Sequence, residues 1–243
     1  MSTMRARIHS IRIAFVAALA LAACARHDSG ESRAAYTDPT EGLPARFKVQ
    51  DPVPKPDFSV AAQAPAFQKA IKDAAALLEA QPQPLRSEAE NEELAGGVSF
   101  DVSKTKIEAV LRKAHSDFLA KGFYLFRYQQ NFDIAGRPDK IGLLPTADAY
   151  AVMAAMDTNG DNYNIGTAGI IAWMKELHQE QPFILTGIGF DYMEGHFTSP
   201  LKDPQALAGR MYQFCPDIVD QGVGTVSNLA SELQKGSIYF WWD

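Results

Sequence analysis

The second half of this 243-residue sequence predicts an α/β or α+β fold: a single compact sandwich domain with a central mixed sheet and flanking helices. Three observations carry that prediction. Aromatic and β-branched runs, such as FYLFRY (Phe123–Tyr128), PFILTGIGFD (Pro182–Asp191) and SIYFWW (Ser237–Trp242), read as strands. Between them lie stretches whose apolar residues recur every three or four positions, as on one helix face. Strands and helices come in pairs, which gives a layered sandwich, and the roughly 145 residues from Val98 onward suffice for one domain with a full core.

Taken in order, Ala64 to Ala80 is the first helix, an extra one ahead of the domain. Phe67, Ala70, Ile71, Ala74, Leu77 and Leu78 recur at helical spacing, Pro65 suits a first turn and Pro82 stops it. Gln83 to Gly97 (QPLRSEAENEELAGG) is polar and acidic and reads as a linker, so residues 64–97 form a helix plus acidic linker and 98–243 the C-terminal domain. Thr105 with Glu108 three residues on forms a capping box. The helix it opens carries Ile107, Val110, Leu111, Ala114 and Phe118 on one stripe and ends at Gly122. The strand Phe123–Tyr128 leads through a turn at Gly136-Arg137-Pro138 to a second strand, Lys140–Leu144. Helices follow at Ala147–Met156 and Thr167–His178. Pro182–Asp191 and Tyr192–Thr198 are two strands or one long bent strand. Helices at Pro204–Cys215 and Val226–Lys235 precede the last strand, Ser237–Trp242. Its apolar residues point both ways, which predicts cover on both faces.

The first residues carry an address. Arg5, Arg7 and Arg12 precede an apolar run, Ile13–Ala23, too short to span a bilayer. The sequence Leu21-Ala22-Ala23-Cys24 resembles the lipobox of bacterial lipoproteins. The resemblance implies that residues 1–23 are a signal peptide and that Cys24 becomes the first mature residue and carries lipid. Ala25 in second place implies the outer membrane, facing the periplasm. Residues 24–63 are rich in Pro, Asp, Ser and basic residues without apolar period, and read as a flexible tether. Removing residues 1–23 takes three arginines and no acid, so the formal charge falls from −6 to −9. So acidic a chain argues against nucleic acid as partner, and places membrane contact in the lipid on Cys24. With Cys24 lipidated, Cys215 is the one remaining cysteine. In an oxidising compartment it must be hidden, intermolecular or functional.

LLPTADAY (Leu143–Tyr150), NGDNYNIG (Asn159–Gly166), IIAWMKEL (Ile170–Leu177), PFILTGIGFD, FCPDIVDQG (Phe214–Gly222) and YFWWD (Tyr239–Asp243) occur together in this order. From Lys140 to the end the chain resembles the domain-of-unknown-function family 4253, with Asp161 a departure where a small residue is expected. The resemblance implies a domain boundary and no activity.

Cys215 follows Met211 by four residues on the apolar stripe of its helix, at the negative end of the dipole and beside two acids, which suits burial better than nucleophilicity. Asp217 and Asp220, three apart, would share a face of a helical turn as acid and base, or serve as turn caps. DTNGDNYNIG (Asp157–Gly166) begins like a calcium loop, but Gly160 stands at position four and Ala168 at twelve where a Glu is needed. As a polar loop it offers Asn159, Asn162, Tyr163 and Asn164 to a ligand. GFDYMEGHF brings Asp191, Glu194 and His196 close in sequence, either as base, acid and metal ligands or as a solvated strand edge. Gly187-Ile188-Gly189 lacks the third glycine and helix of a dinucleotide fingerprint. Trp173, Trp241 and Trp242 are of a type that stacks on sugars, but their apolar neighbours favour core.

These residues support a lipid-anchored envelope protein whose C-terminal domain binds a protein or small polar ligand without catalysis, with no cofactor and no metal. A second reading is a hydrolase using Asp217/Asp220 or Asp191/Glu194/His196. A third is an immunity-type protein that neutralises a basic toxin. The enzyme reading requires Asp191, His196 and Asp217 to meet in one concave pocket.

Overall fold

The computed structural model describes residues 38–87, 91–131 and 136–243. The leader 1–23, Cys24 and tether residues 25–37 lie outside the described residues.

The described residues form one seven-stranded mixed sheet. Its strands are β1 (Gln83–Arg86), β2 (Glu93–Val102), β3 (Tyr124–Gln129), β4 (Asp139–Leu144), β5 (Phe183–Ile188), β6 (Tyr192–Phe197) and β7 (Ser237–Trp241). Their order is β1-β2-β4-β3-β5-β6-β7. Every neighbouring pair is antiparallel except β3 and β5, which run parallel. The helices are α1 (Ser59–Ala62), α2 (Pro65–Leu78), α3 (Lys104–Ala120), α4 (Ala149–Met156), α5 (Thr167–Glu180), α6 (Pro204–Phe214) and α7 (Val226–Leu233).

The period-two alternation of β3 splits the core into two layers. Tyr124, Phe126 and Tyr128 point to one side, where α4–α7 bring Met153, Ile170, Trp173, Phe214 and Leu229. There Trp173 stacks on Phe214 at 4.4 Å, and Phe214 meets Phe240 edge-on. Leu125 points to the other side, where Phe67 and Leu78 of α2 and Ile107 of α3 cover Phe100, Ile141 and Leu143.

That second layer stops at β3. Over β5–β7 the same face is open: Ile184, Thr186 and Trp241 are half-buried, His196 is exposed and Tyr239 is 37% exposed. The expectation that the last strand is covered on both faces is corrected. Ile238 and Phe240 are buried beneath helices, whereas α3 lies over β3 and β4 and no described helix continues across the other side.

Two further expectations change. The acidic linker 83–97 is instead the β1–β2 hairpin, with Gln83 opposite Ser99 and Arg86 opposite Glu93, their side chains paired at 2.5 Å. Fully buried Leu85 is the lone anchor of β1, too little for an alternation to register. Residues 38–63, read from the sequence as part of the tether, lie against the domain as a strap. Turns at Pro39–Gly42 and Ala45–Phe47 bury Thr40, Leu43 and Phe47 against α6 and α5. A β-carbon at Gly169 would collide with the Phe47 carbonyl, so only glycine lets the strap lie this close. Arg46 grips Glu176 with two bonds, at 2.8 and 3.1 Å, and the Gly166 amide donates to Val49 O. The Phe58 amide then donates to Ala95 O of β2 before the chain enters α2. Four well-spaced buried side chains among prolines hold the strap without any apolar period.

Elsewhere the helices stand close to their predicted ranges. Ser103, not Thr105, is the N-cap residue of α3. Asp148, Asp203 and Thr225 cap α4, α6 and α7 with side-chain oxygens. Pro182–Thr198 resolves into two antiparallel strands turned at Gly189–Asp191, where the Gly189 amide donates to Tyr192 O at 2.8 Å.

Candidate functional site

The parallel seam between β3 and β5 has a single register pair, Arg127 opposite Gly187. Side chains stitch it. Arg127 is buried and donates through Nε to Glu194 Oε1 at 2.7 Å and through Nη2 to Oε2 at 2.5 Å. Its Nη1 lies 3.3 Å from Asp139 Oδ2 on β4. Asp139 also accepts the Asn131 amide at 2.6 Å. Tyr192 OH donates to Arg127 O at 3.0 Å, and Tyr124 OH to Leu185 O at 2.9 Å. Glu194 and Tyr192 stand on β6, so each must cross β5 to reach β3. They do so over Gly187 and Gly189, where any β-carbon would strike Glu194 Cγ or Tyr192 Cε1. The Gly-Ile-Gly stretch is therefore a double crossing point for side chains. His115 of α3 pairs Nδ1 with Leu125 O at 2.7 Å, its ring edge-on to Tyr124. Its Nε2 is buried without a hydrogen-bond partner, and burial lowers its pKa.

Asp217 is a second hub. It follows Pro216 at the start of a wide π-type turn, Ile218–Val223. Its carboxylate accepts from Tyr163 OH at 2.7 Å, Gln221 Nε2 at 2.8 Å and the Asp243 amide at 2.9 Å. The group is 3% exposed. Asp220 is exposed and accepts from Tyr212 OH at 3.1 Å. The expected shared face is corrected: the wide turn leaves one acid inside the protein and the other in solvent. Cys215 caps the C-terminal end of α6. Its thiol is fully buried and donates to Trp241 O at 2.9 Å, and burial pushes its pKa well above the ordinary thiol value.

The loop 157–166 is held from within. Thr167 donates its hydroxyl to Asp157, Asn159 bonds Asp157 O through Nδ2 and receives the Asp161 amide, and the Asn159 amide donates to Phe190 O. Trp242 packs its indole on Gly160. Of the four residues read as ligand contacts, Asn159 is buried and Tyr163 is tied to Asp217, whereas Asn162 and Asn164 face solvent.

Asp191 lies in the β5–β6 turn, where its carbonyl accepts the Trp242 amide, next to the residue that anchors Asp217. His196 lies at the far end of β6 opposite Ser237, four residues and about 13 Å along the strand from Tyr192. Asp191, His196 and Asp217 therefore do not converge, and Glu194 points to Arg127. Among the described residues no three His, Cys, Asp or Glu side chains come together as a metal-holding group. The reading from sequence missed Arg127, Asp139, His115 and Tyr192. Its available signal was a lone arginine inside an aromatic strand, two strands ahead of a Gly-x-Gly.

No curated protein and no solved structure matches the chain. One family model does match, over the stretch that supplies β5–β7, α4–α7 and all but the first residue of β4. A boundary at Lys140 would fall inside β4, and β3 from upstream separates β4 from β5, so the matched stretch shares one sheet with residues ahead of it. Residues 140–243 of this chain match the family model described as Domain of unknown function (DUF4253).

Proposed function

We propose that this is a lipid-anchored protein of the bacterial cell envelope, held at the outer membrane by Cys24, whose folded domain binds a macromolecular partner without catalysing a reaction. The observation that carries the reading is Asp217. Of the four acids the sequence offered for acid–base work, Asp191, Glu194, Asp217 and Asp220, it is the most enclosed, and its carboxylate already serves three donors from three parts of the chain. A general acid or base needs an oxygen facing substrate. Glu194 is likewise engaged by Arg127, and Cys215 is neutral inside the core.

An open sheet face suits a protein surface better than a small molecule, which binds in a concave pocket. Tyr239, Trp241, Ile184 and His196 supply the aromatic and mixed character of such contacts. The formal charge of −9 after loss of residues 1–23 favours a basic partner by electrostatic complementarity.

Intact mass of protein extracted from bacterial membranes tests the anchor: loss of residues 1–23 with added acyl mass supports it, and a chain starting at Met1 in the soluble fraction overturns it. Ester and glycoside hydrolysis assays on the purified protein test the rest. Turnover abolished by Asp217→Asn at a temperature where the variant is still folded would replace binding with catalysis.

A further inference from the structure

The strap fixes the side from which the chain leaves the domain. Asp38, the first described residue, caps the turn Pro39–Gly42, its carboxylate accepting the Thr40 amide at 2.8 Å and the Thr40 hydroxyl at 3.0 Å. That turn packs on α6, the next on α5, and Gly42 lies beside Gln213. Both helices cover the sheet face opposite the open face of β5–β7. Two ion pairs flank the strap, Arg46 with Glu176 and Arg210 with Glu180.

Chain length then decides the orientation. Cys24 and Asp38 are fourteen positions apart. Even fully extended, that many residues span only about 50 Å. A compact domain of about 200 residues has a radius near 21 Å, so the path from the helix layer round to the opposite pole is about 67 Å. A lipid on Cys24 therefore cannot be carried round to the far side while the strap stays docked. We infer that the anchored protein turns its α5–α6 layer toward the bilayer and its open β5–β7 face away from it, toward a partner in the adjoining compartment. This rests on the Cys24 anchor proposed above.

Energy transfer tests it. The full chain bearing either Gln213→Cys, on the strap side, or Ser237→Cys, on the open face, is purified from membranes, labelled with a donor dye and reconstituted into phosphatidylcholine vesicles containing an acceptor lipid. Both positions are exposed, and buried Cys215 is shielded from the dye. Donor quenching at Gln213→Cys should exceed that at Ser237→Cys at least twofold, and Gly169→Val, which blocks strap docking, should shrink the difference. A parallel arm carries Cys24→Ser in both labelled variants and places a short histidine tag directly ahead of residue 24 on nickel-chelating lipids, which sets the leash without native acylation or a second labelled thiol. Absence of acyl chains on Cys24 overturns the anchor. Equal quenching at both positions on the nickel-lipid vesicles overturns the orientation, so the two failures read differently.

Discussion

Glu194 on β6 reaches across Gly187 on β5 to clasp Arg127 on β3 with two hydrogen bonds, joining strands that are not neighbours. The clasp lies at the one register pair of the β3–β5 seam, and Asp139 supports it from β4. Side-chain exposure is 4% for Arg127, 1% for Asp139 and 17% for Glu194, so breaking the group strands a buried charge. Arg127→Leu should cost about 3–5 kcal/mol. Gly187→Ala should displace Glu194, and its effect combined with Glu194→Ala should be less than additive. Urea unfolding of the two single variants and the double variant measures this.

Asp217→Asn replaces an acceptor for three donors with an amide that must present its own N–H groups to one of them. The expected loss is about 2–3 kcal/mol, with about 1 kcal/mol for Tyr163→Phe. Amide hydrogen exchange at Asp243 should quicken in Asp217→Asn and stay close to wild type in Tyr163→Phe.

His115 makes stability pH-dependent. Its pKa in the folded protein lies below the ordinary 6.5, chiefly because burial disfavours the charged ring, with nearby His196 adding to the same direction. The unfolded chain therefore binds the proton more readily. Stability from this group is full above about 6.5 and falls as pH drops from there toward the folded pKa. Melting at pH 7.5 and 5.5 should show a larger drop for wild type than for His115→Gln.

Cys215 should resist a thiol reagent in the native protein at pH 8 and react fully once unfolded, because the thiol is enclosed and held in its neutral form. Rapid native labelling would place it at an accessible site.

Removing the Phe47 ring should cost about 3 kcal/mol. Phe47→Ala should also expose residues 48–57 to protease while the rest of the domain resists, a pattern visible by limited proteolysis and mass analysis.

Where a segment's apolar residues repeat, its structure was legible. The stripe Phe67–Leu78 and the alternation of β3 place α2 and β3 within a residue or two. β1 and the strap were not legible, since Leu85, Leu43, Phe47 and Phe58 are single anchors whose partners lie far along the chain. The burial of Cys215 followed from its place on the Met211 stripe. The role of Asp217 did not, because its partners come from positions 163, 221 and 243, which only the fold brings together. Gly187 and Gly189 fail as a dinucleotide fingerprint in the sequence, and their use as crossing points for Glu194 and Tyr192 shows only in the fold.

Capture from gently solubilised bacterial membranes tests the account most directly, with the intact acylated protein compared against Tyr239→Lys, an exposed change on the open face that should leave melting unchanged. Wild type should retain a protein that raised salt releases and that Tyr239→Lys retains at least tenfold less. Equal retention by both, or capture lost only when Asn162 and Asn164 are changed, would contradict it.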